Sequence, residues 1–142
     1  MINWEQGVGL VVYVVVGLAG IVGALLRYYL GLFVSGWWSG LFPMATWLAN
    51  MIGCFALGWL TVYLPRLNNL PSYVATALGT GLVGSFTTFS TFSVETVQLL
   101  RTSHWEMALF YVVLSLCGGL AMSWLGFRFG QGSLRTQKET AE

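Results

Sequence analysis

Hydroxyl and aromatic side chains crowd together in GLVGSFTTFSTFSVE, Gly81 to Glu95, inside an otherwise apolar run from Tyr73 to Leu100. The cluster offers donors, acceptors and ring edges at one level of the chain. Ser and Thr side chains compete for backbone partners, and backbone that leaves the helix at membrane depth persists only when buried in protein or lining a wet cavity. TTFST therefore predicts a helix break, with an ion or substrate site at the break. Phe89 and Phe92 are three residues apart, so they either pack together or turn ring edges toward a passage. An aromatic ring has a positive edge and a negative face. Ring edges suit a small anion and hold it weakly enough for release, a balance that conduction requires.

Asn50 is a lone carboxamide in a second apolar run. Its two N–H donors can face an anion without a full positive charge, or they can bond a neighbouring helix. Thr46 shares its face, and Tyr111, Ser115 and Gly119 recur at spacings of four on another run. Two such polar tracks beside TTFST would line a narrow passage. Arg27 and Glu95 are the ionisable residues well inside apolar runs. An intramembrane charge costs at least about 2.5 kcal/mol and is by default a functional candidate. Arg27 either anchors its helix by reaching the interface or attracts ions at a vestibule, while Glu95 fits a structural hydrogen-bonding role best. No nucleophile sits with a base and no carboxylates are paired, so an enzyme is not expected.

These residues need a frame, and composition sets its class. The chain has 142 residues, 56% hydrophobic and 8% charged, with mean hydropathy +0.74. Soluble domains carry about 25% charged residues, so the expected class is an all-α integral membrane protein. A net charge of +1 gives no reason to expect nucleic acid. Four apolar segments emerge, about 8–34, 45–64, 73–100 and 105–129. Each reaches the roughly 20 residues that a helix needs to cross a bilayer. The third is expected to break near 84–91, and the polar tail 131–142 to be loose. Trp4, Trp37, Trp38 and Trp105 fall at segment ends, as an interfacial aromatic belt would. Cys54 and Cys117 lie in apolar runs without metal-ligand spacing and read as small packing residues. No basic stretch precedes the first segment, so a cleaved signal peptide is not expected.

Small residues recur four apart in all four segments, for example Gly20 and Ala24, Ala49 and Gly53, Ala75 and Gly79, Ser115 and Gly119. That spacing lets helices approach closely in lipid. Four helices leave little room for an internal pore, so an oligomer is the economical expectation. With four crossings, Arg66, Arg128, Arg135 and Lys138 lie on the side of the termini, and Arg101 and Arg27 lie on or near the other. This near balance gives only a slight inside bias and is compatible with insertion both ways.

The sequence resembles the Fluc (CrcB) family of small bacterial fluoride channels, over nearly its whole length to about Gly130. The resemblance is carried by GALLRY at Gly23 to Tyr28, NMIG at Asn50 to Gly53 and, most specifically, GLVGSFTTFSTFSVE at Gly81 to Glu95. It implies an antiparallel, dual-topology dimer in the bacterial inner membrane, with two fluoride pores along the subunit interface. It also implies that Asn50 donates to fluoride and that Phe89 and Phe92 present ring edges to the pore. Ser90 and Thr91 would belong to the same region, with Tyr111 and Ser115 on a polar track. Gly84 and Thr87 match positions whose backbone carbonyls would hold a central structural sodium ion on the dimer axis. Ser85, Ala45, Trp47 and Gly119 depart from the family pattern without removing a required group, save that Gly119 falls where a hydroxyl is common.

The expected function is passive fluoride export conferring fluoride resistance. The alternatives are a proton-coupled anion transporter using Glu95, and a non-conducting structural subunit. One intramembrane acid and no internal repeat weigh against the first. The helix break weighs against the second. The partner in the dimer is either a second copy or a paralogous subunit.

Overall fold

The computed structural model describes residues 4–67 and 70–139, all helix and connecting turn, with no strand among them. Helix α1 spans Trp4–Ser35, α2 Met44–Tyr63 and α6 Trp105–Glu139. These three are long and apolar enough to cross a membrane, over Gly9–Ser35, Met44–Arg66 and Trp105–Gly132. Large apolar side chains stand outward along them, such as Leu18, Ile21, Phe33, Leu116 and Leu120. That surface fits hydrocarbon and would be costly in water. The molecule is an integral membrane protein.

The 73–100 segment is not a single helix. It is assembled from α3 (Ser72–Thr76), a wide π-helical stretch (Ala77–Val83), α4 (Gly84–Phe86) and α5 (Phe89–Arg101). The expected break is present, and it falls at Thr87 and Thr88. Thr87 has φ −81°, ψ 160° and Thr88 has φ −150°, ψ 124°, both extended. The π-helical stretch is a further departure from regular helix, of the kind often found beside functional sites. It packs on α1 almost backbone to backbone. A Cβ on Gly23 would overlap the Leu82 carbonyl, and one on Gly81 would lie 2.7 Å from the Val16 carbonyl oxygen.

Helices α2 and α6 form the most extensive pairing. At their crossing, Gly58 faces the Ser123 carbonyl and Gly126 faces the Phe55 carbonyl with no room for a Cβ at either. Such close approach replaces the hydrophobic drive that is lost between helices in lipid. Leu99, Ala108 and Tyr111 are buried together, with Phe42, Trp47 and Phe92 against them. Phe42 stands edge-on to Tyr111 at 5.4 Å between centroids.

Helix α5 turns into α6 through a left-handed Ser103 (φ 63°). His104 N–H donates to Leu99 O at 2.9 Å and Ser103 N–H to Leu100 O at 3.1 Å, a Schellman cap that satisfies the last carbonyls. Of the expected interfacial tryptophans, Trp37 and Trp105 are well exposed, while Trp38 Nε1 donates to Phe42 O at 2.8 Å. The tail differs from expectation. Helix α6 continues through Glu139, because residues 133–139 hold good helix formers and no proline or glycine. The expectations for the Trp4, Arg135 and Lys138 side chains, and for 140–142, lie outside the described residues.

Candidate functional site

The break is held open by Asn50. Its Oδ1 accepts from Thr88 N–H at 2.8 Å, and its Nδ2 donates to Thr88 O at 3.1 Å. In an unbroken helix the Thr88 N–H would close onto the carbonyl four residues back, that of Gly84. Asn50 takes that donor. The Gly84 carbonyl therefore loses its helical partner, whereas the preceding bond, Thr87 N–H to Val83 O, persists at 3.0 Å. Thr88 then starts α5 as its N-cap, its hydroxyl oxygen accepting from Thr91 N–H at 3.2 Å. The Thr88 hydroxyl also bonds Thr91 Oγ1 at 3.1 Å and Ser90 Oγ at 3.2 Å. The run of hydroxyls thus supplies the cap that a restarting helix needs.

A cavity of about 360 Å³ adjoins the break. Asn50, Gly84, Thr87, Phe89, Phe92 and Ser115 are among its lining residues. The two phenylalanine rings lie 5.9 Å apart at 36°. Phe89 is 80% exposed, whereas Phe92 is backed by Tyr111 at 5.0 Å. Ser115 contributes to the cavity wall, and its hydroxyl is buried without a hydrogen-bond partner within the protein, an orphan that a native fold rarely leaves. Asn50 Nδ2 keeps one N–H beyond the bond it gives to Thr88. Within the cavity lining, the Asn50 amide and two phenylalanine rings occur together on mostly apolar walls.

A second cavity, about 260 Å³, is lined by Arg27, Tyr28, Thr46, Thr88 and Thr91. Thr88 borders both cavities, so the N-cap residue stands between the guanidinium-lined space and the phenylalanine-lined one. Glu95 faces neither cavity. Its Oε1 accepts from Thr46 Oγ1 at 2.8 Å and its Oε2 from Tyr111 O–H at 2.9 Å. One carboxylate thereby ties α5 to α2 and α6.

The structure thus gathers Asn50, Phe89, Phe92, Ser115, Gly84 and Thr87 around one space. It does not gather every candidate there. Tyr111 is fully buried and spends its hydroxyl on Glu95 rather than on the cavity. Thr91 and Arg27 line the second cavity, and Ser90 is exposed beside the cap. Sequence reasoning did not single out Thr88, although a threonine three residues before a helical N–H is a recognisable N-cap signal. Gly53, a packing and motif residue by sequence, also lines the main cavity.

Comparison with known proteins gives the chain a family. The family model described as CrcB-like protein, Camphor Resistance (CrcB), matches residues 14–127. The chain is 58% identical over 130 residues to a protein of Bacillus cereus (strain ATCC 14579) named Fluoride-specific ion channel FluC 1, covering 92% of this chain and 90% of that one. It is 56% identical over 124 residues to the FluC 1 protein of Bacillus thuringiensis subsp. konkukian (strain 97-27), covering 87% and 90%. It is 48% identical over 120 residues to a protein of Geobacillus kaustophilus (strain HTA426) named Fluoride-specific ion channel FluC 2, covering 84% and 93%. The matched span takes in most of α1, all of α2, the broken segment and most of α6, and with it every residue around the break, so the chain belongs to the CrcB family.

Proposed function

We propose that the chain is a fluoride-selective channel that lets cytoplasmic fluoride leave a bacterial cell across its inner membrane. The observation that carries this reading is the convergence of Asn50, Phe89, Phe92 and Ser115 on one cavity at the break. The names of the relatives at 48–58% identity support fluoride as the ion. Fluoride is a compact acceptor, the remaining Asn50 N–H is a neutral donor, and the ring edges are weaker ones. Neutral donors of this kind take over part of the ion's hydration and still let it leave. Hydrogen fluoride enters cells as a neutral weak acid and ionises there, and an inside-negative potential then drives the anion out through a passive pore.

The full pore is completed by a second subunit. Phe89 is 80% exposed and Gly84 is exposed although both line the cavity, so a partner is the natural cover. The near balance of loop charges supports two copies inserted antiparallel, with the broken segment as the fourth crossing and two pores along the interface. The freed Gly84 carbonyl, with that of Thr87 beside it, fits a hard cation that binds carbonyl oxygen. Sodium on the dimer axis would supply positive charge there. This chain's own part is to keep those carbonyls out of helical bonds.

Two measurements test the proposal. Purified protein in liposomes loaded with potassium fluoride should release fluoride to an electrode once a potassium ionophore lets the cation leave with it, with little chloride released under the same conditions. Equal release of both ions, or of neither, refutes selective conduction. For the cation, exchanging sodium for potassium should lower the dimer fraction of the purified protein and slow efflux together. A dimer indifferent to the removal of sodium counts against the axial site.

A further inference from the structure

We propose that Gly53 is a positioning residue for the break: its missing side chain forms the notch on α2 that receives the methyl group of Thr87. The inference rests on the channel reading for its functional readout and on contact geometry for its cause. Asn50 and Gly53 are three apart on α2 and so share a face. They meet two consecutive residues of the break, the amide clamping Thr88 and the notch seating Thr87.

Thr87 cannot easily turn away. Its N–H and its Oγ1 both donate to Val83 O, at 3.0 and 3.1 Å. With Oγ1 pinned, the tetrahedral Cβ fixes where Cγ2 points, and β-branched side chains are stiff about this bond. Cγ2 points into the place a Cβ on Gly53 would occupy, and the two would overlap. The other neighbours of that Cβ, Thr87 Cβ at 3.6 Å and Val83 Cγ1 at 3.7 Å, would be in ordinary contact. A single methyl group is therefore the whole obstruction. Gly53→Ala must either rotate Thr87, breaking its bond to Val83 O, or push the break away from α2 and stretch the Asn50 clamp. Rotation reshapes the cavity wall at Thr87, and displacement also moves the Thr87 carbonyl.

The test is a four-protein cycle of wild type, Gly53→Ala, Thr87→Ser and the double variant. Serine retains the hydroxyl and removes only the obstructing methyl. Fluoride efflux from liposomes should fall on the order of tenfold or more on Gly53→Ala in the wild-type background. The same change should cost less than about threefold in the Thr87→Ser background, because residues in contact couple and this cycle isolates their coupling. Thermal unfolding of the purified dimer should follow the same pattern, with a loss from Gly53→Ala that Thr87→Ser relieves. Gly58→Ala is the control: it meets the backbone carbonyl of Ser123, so Thr87→Ser should not rescue it.

If Gly53→Ala does not fold, recovery of a folded dimer in the double variant still supports the notch. Failure of both to fold overturns it. Gly53→Ala protein with wild-type efflux and unfolding temperature also overturns it, as does an equal loss in both backgrounds. Wild-type protein that passes no fluoride removes the channel reading, and the unfolding cycle then decides the notch independently.

Discussion

Asn50→Leu should cut fluoride efflux on the order of 100-fold while the helices remain inserted. The substitution removes both bonds to Thr88 and leaves a part-buried N–H and C=O without partners. Each such orphan costs about 1–3 kcal/mol, and about 3 kcal/mol in total corresponds to roughly 100-fold. The chain has a cheaper escape, in which Thr88 N–H swings back onto Gly84 O and the helix closes over the break. That closure would remove the carbonyl that the proposed sodium site uses. Asn50→Asp should also fail, because it preserves the acceptor for Thr88 N–H but turns an oxygen toward Thr88 O. Electrode-monitored efflux beside size-exclusion chromatography makes the comparison. An Asn50→Leu protein conducting within a few-fold of wild type would show that the clamp is dispensable.

Phe89→Ile should lower efflux by about tenfold or more, corresponding to the loss of about 1.4 kcal/mol of favourable interaction along the path. Isoleucine keeps apolar bulk and loses the positive ring edge. Because Phe89 is 80% exposed, its replacement removes little internal packing, so a large effect reads as loss of an anion contact or of a subunit contact. Dimer fraction distinguishes the two. Phe92→Ile should be at least as damaging to flux but also lower stability, since Phe92 lies between Phe89 and Tyr111, tilted against both rings. Wild-type flux in a Phe89→Ile dimer would return that ring to a packing role.

The class of the protein and the place of its break were legible because both depend on local composition. Few charges mark a lipid-facing surface, and TTFST marks a helix that cannot run on undisturbed. The pairing of Asn50 with Thr88 was not legible. It depends on how α2 meets a segment 38 residues away, which no periodicity encodes. For the same reason Tyr111 looked like a track residue by spacing, yet the fold gives its hydroxyl to Glu95. Thr46 and Asn50 do share a face, but they serve different partners, Glu95 and Thr88. The π-helical stretch left no sequence signature beyond its glycines, because it arises from contact with α1.

That stretch makes chain length a measure of angle. In a regular helix each residue turns the chain by about 100°, and the wider turns of Ala77–Val83 alter that count just before the break. The number of residues between Pro71 and Thr87 therefore sets the compass bearing of the Gly84 carbonyl and of both phenylalanine rings. A relative one residue shorter here would hold every side chain of the site and aim them elsewhere, unless its helix ran regular over the same span.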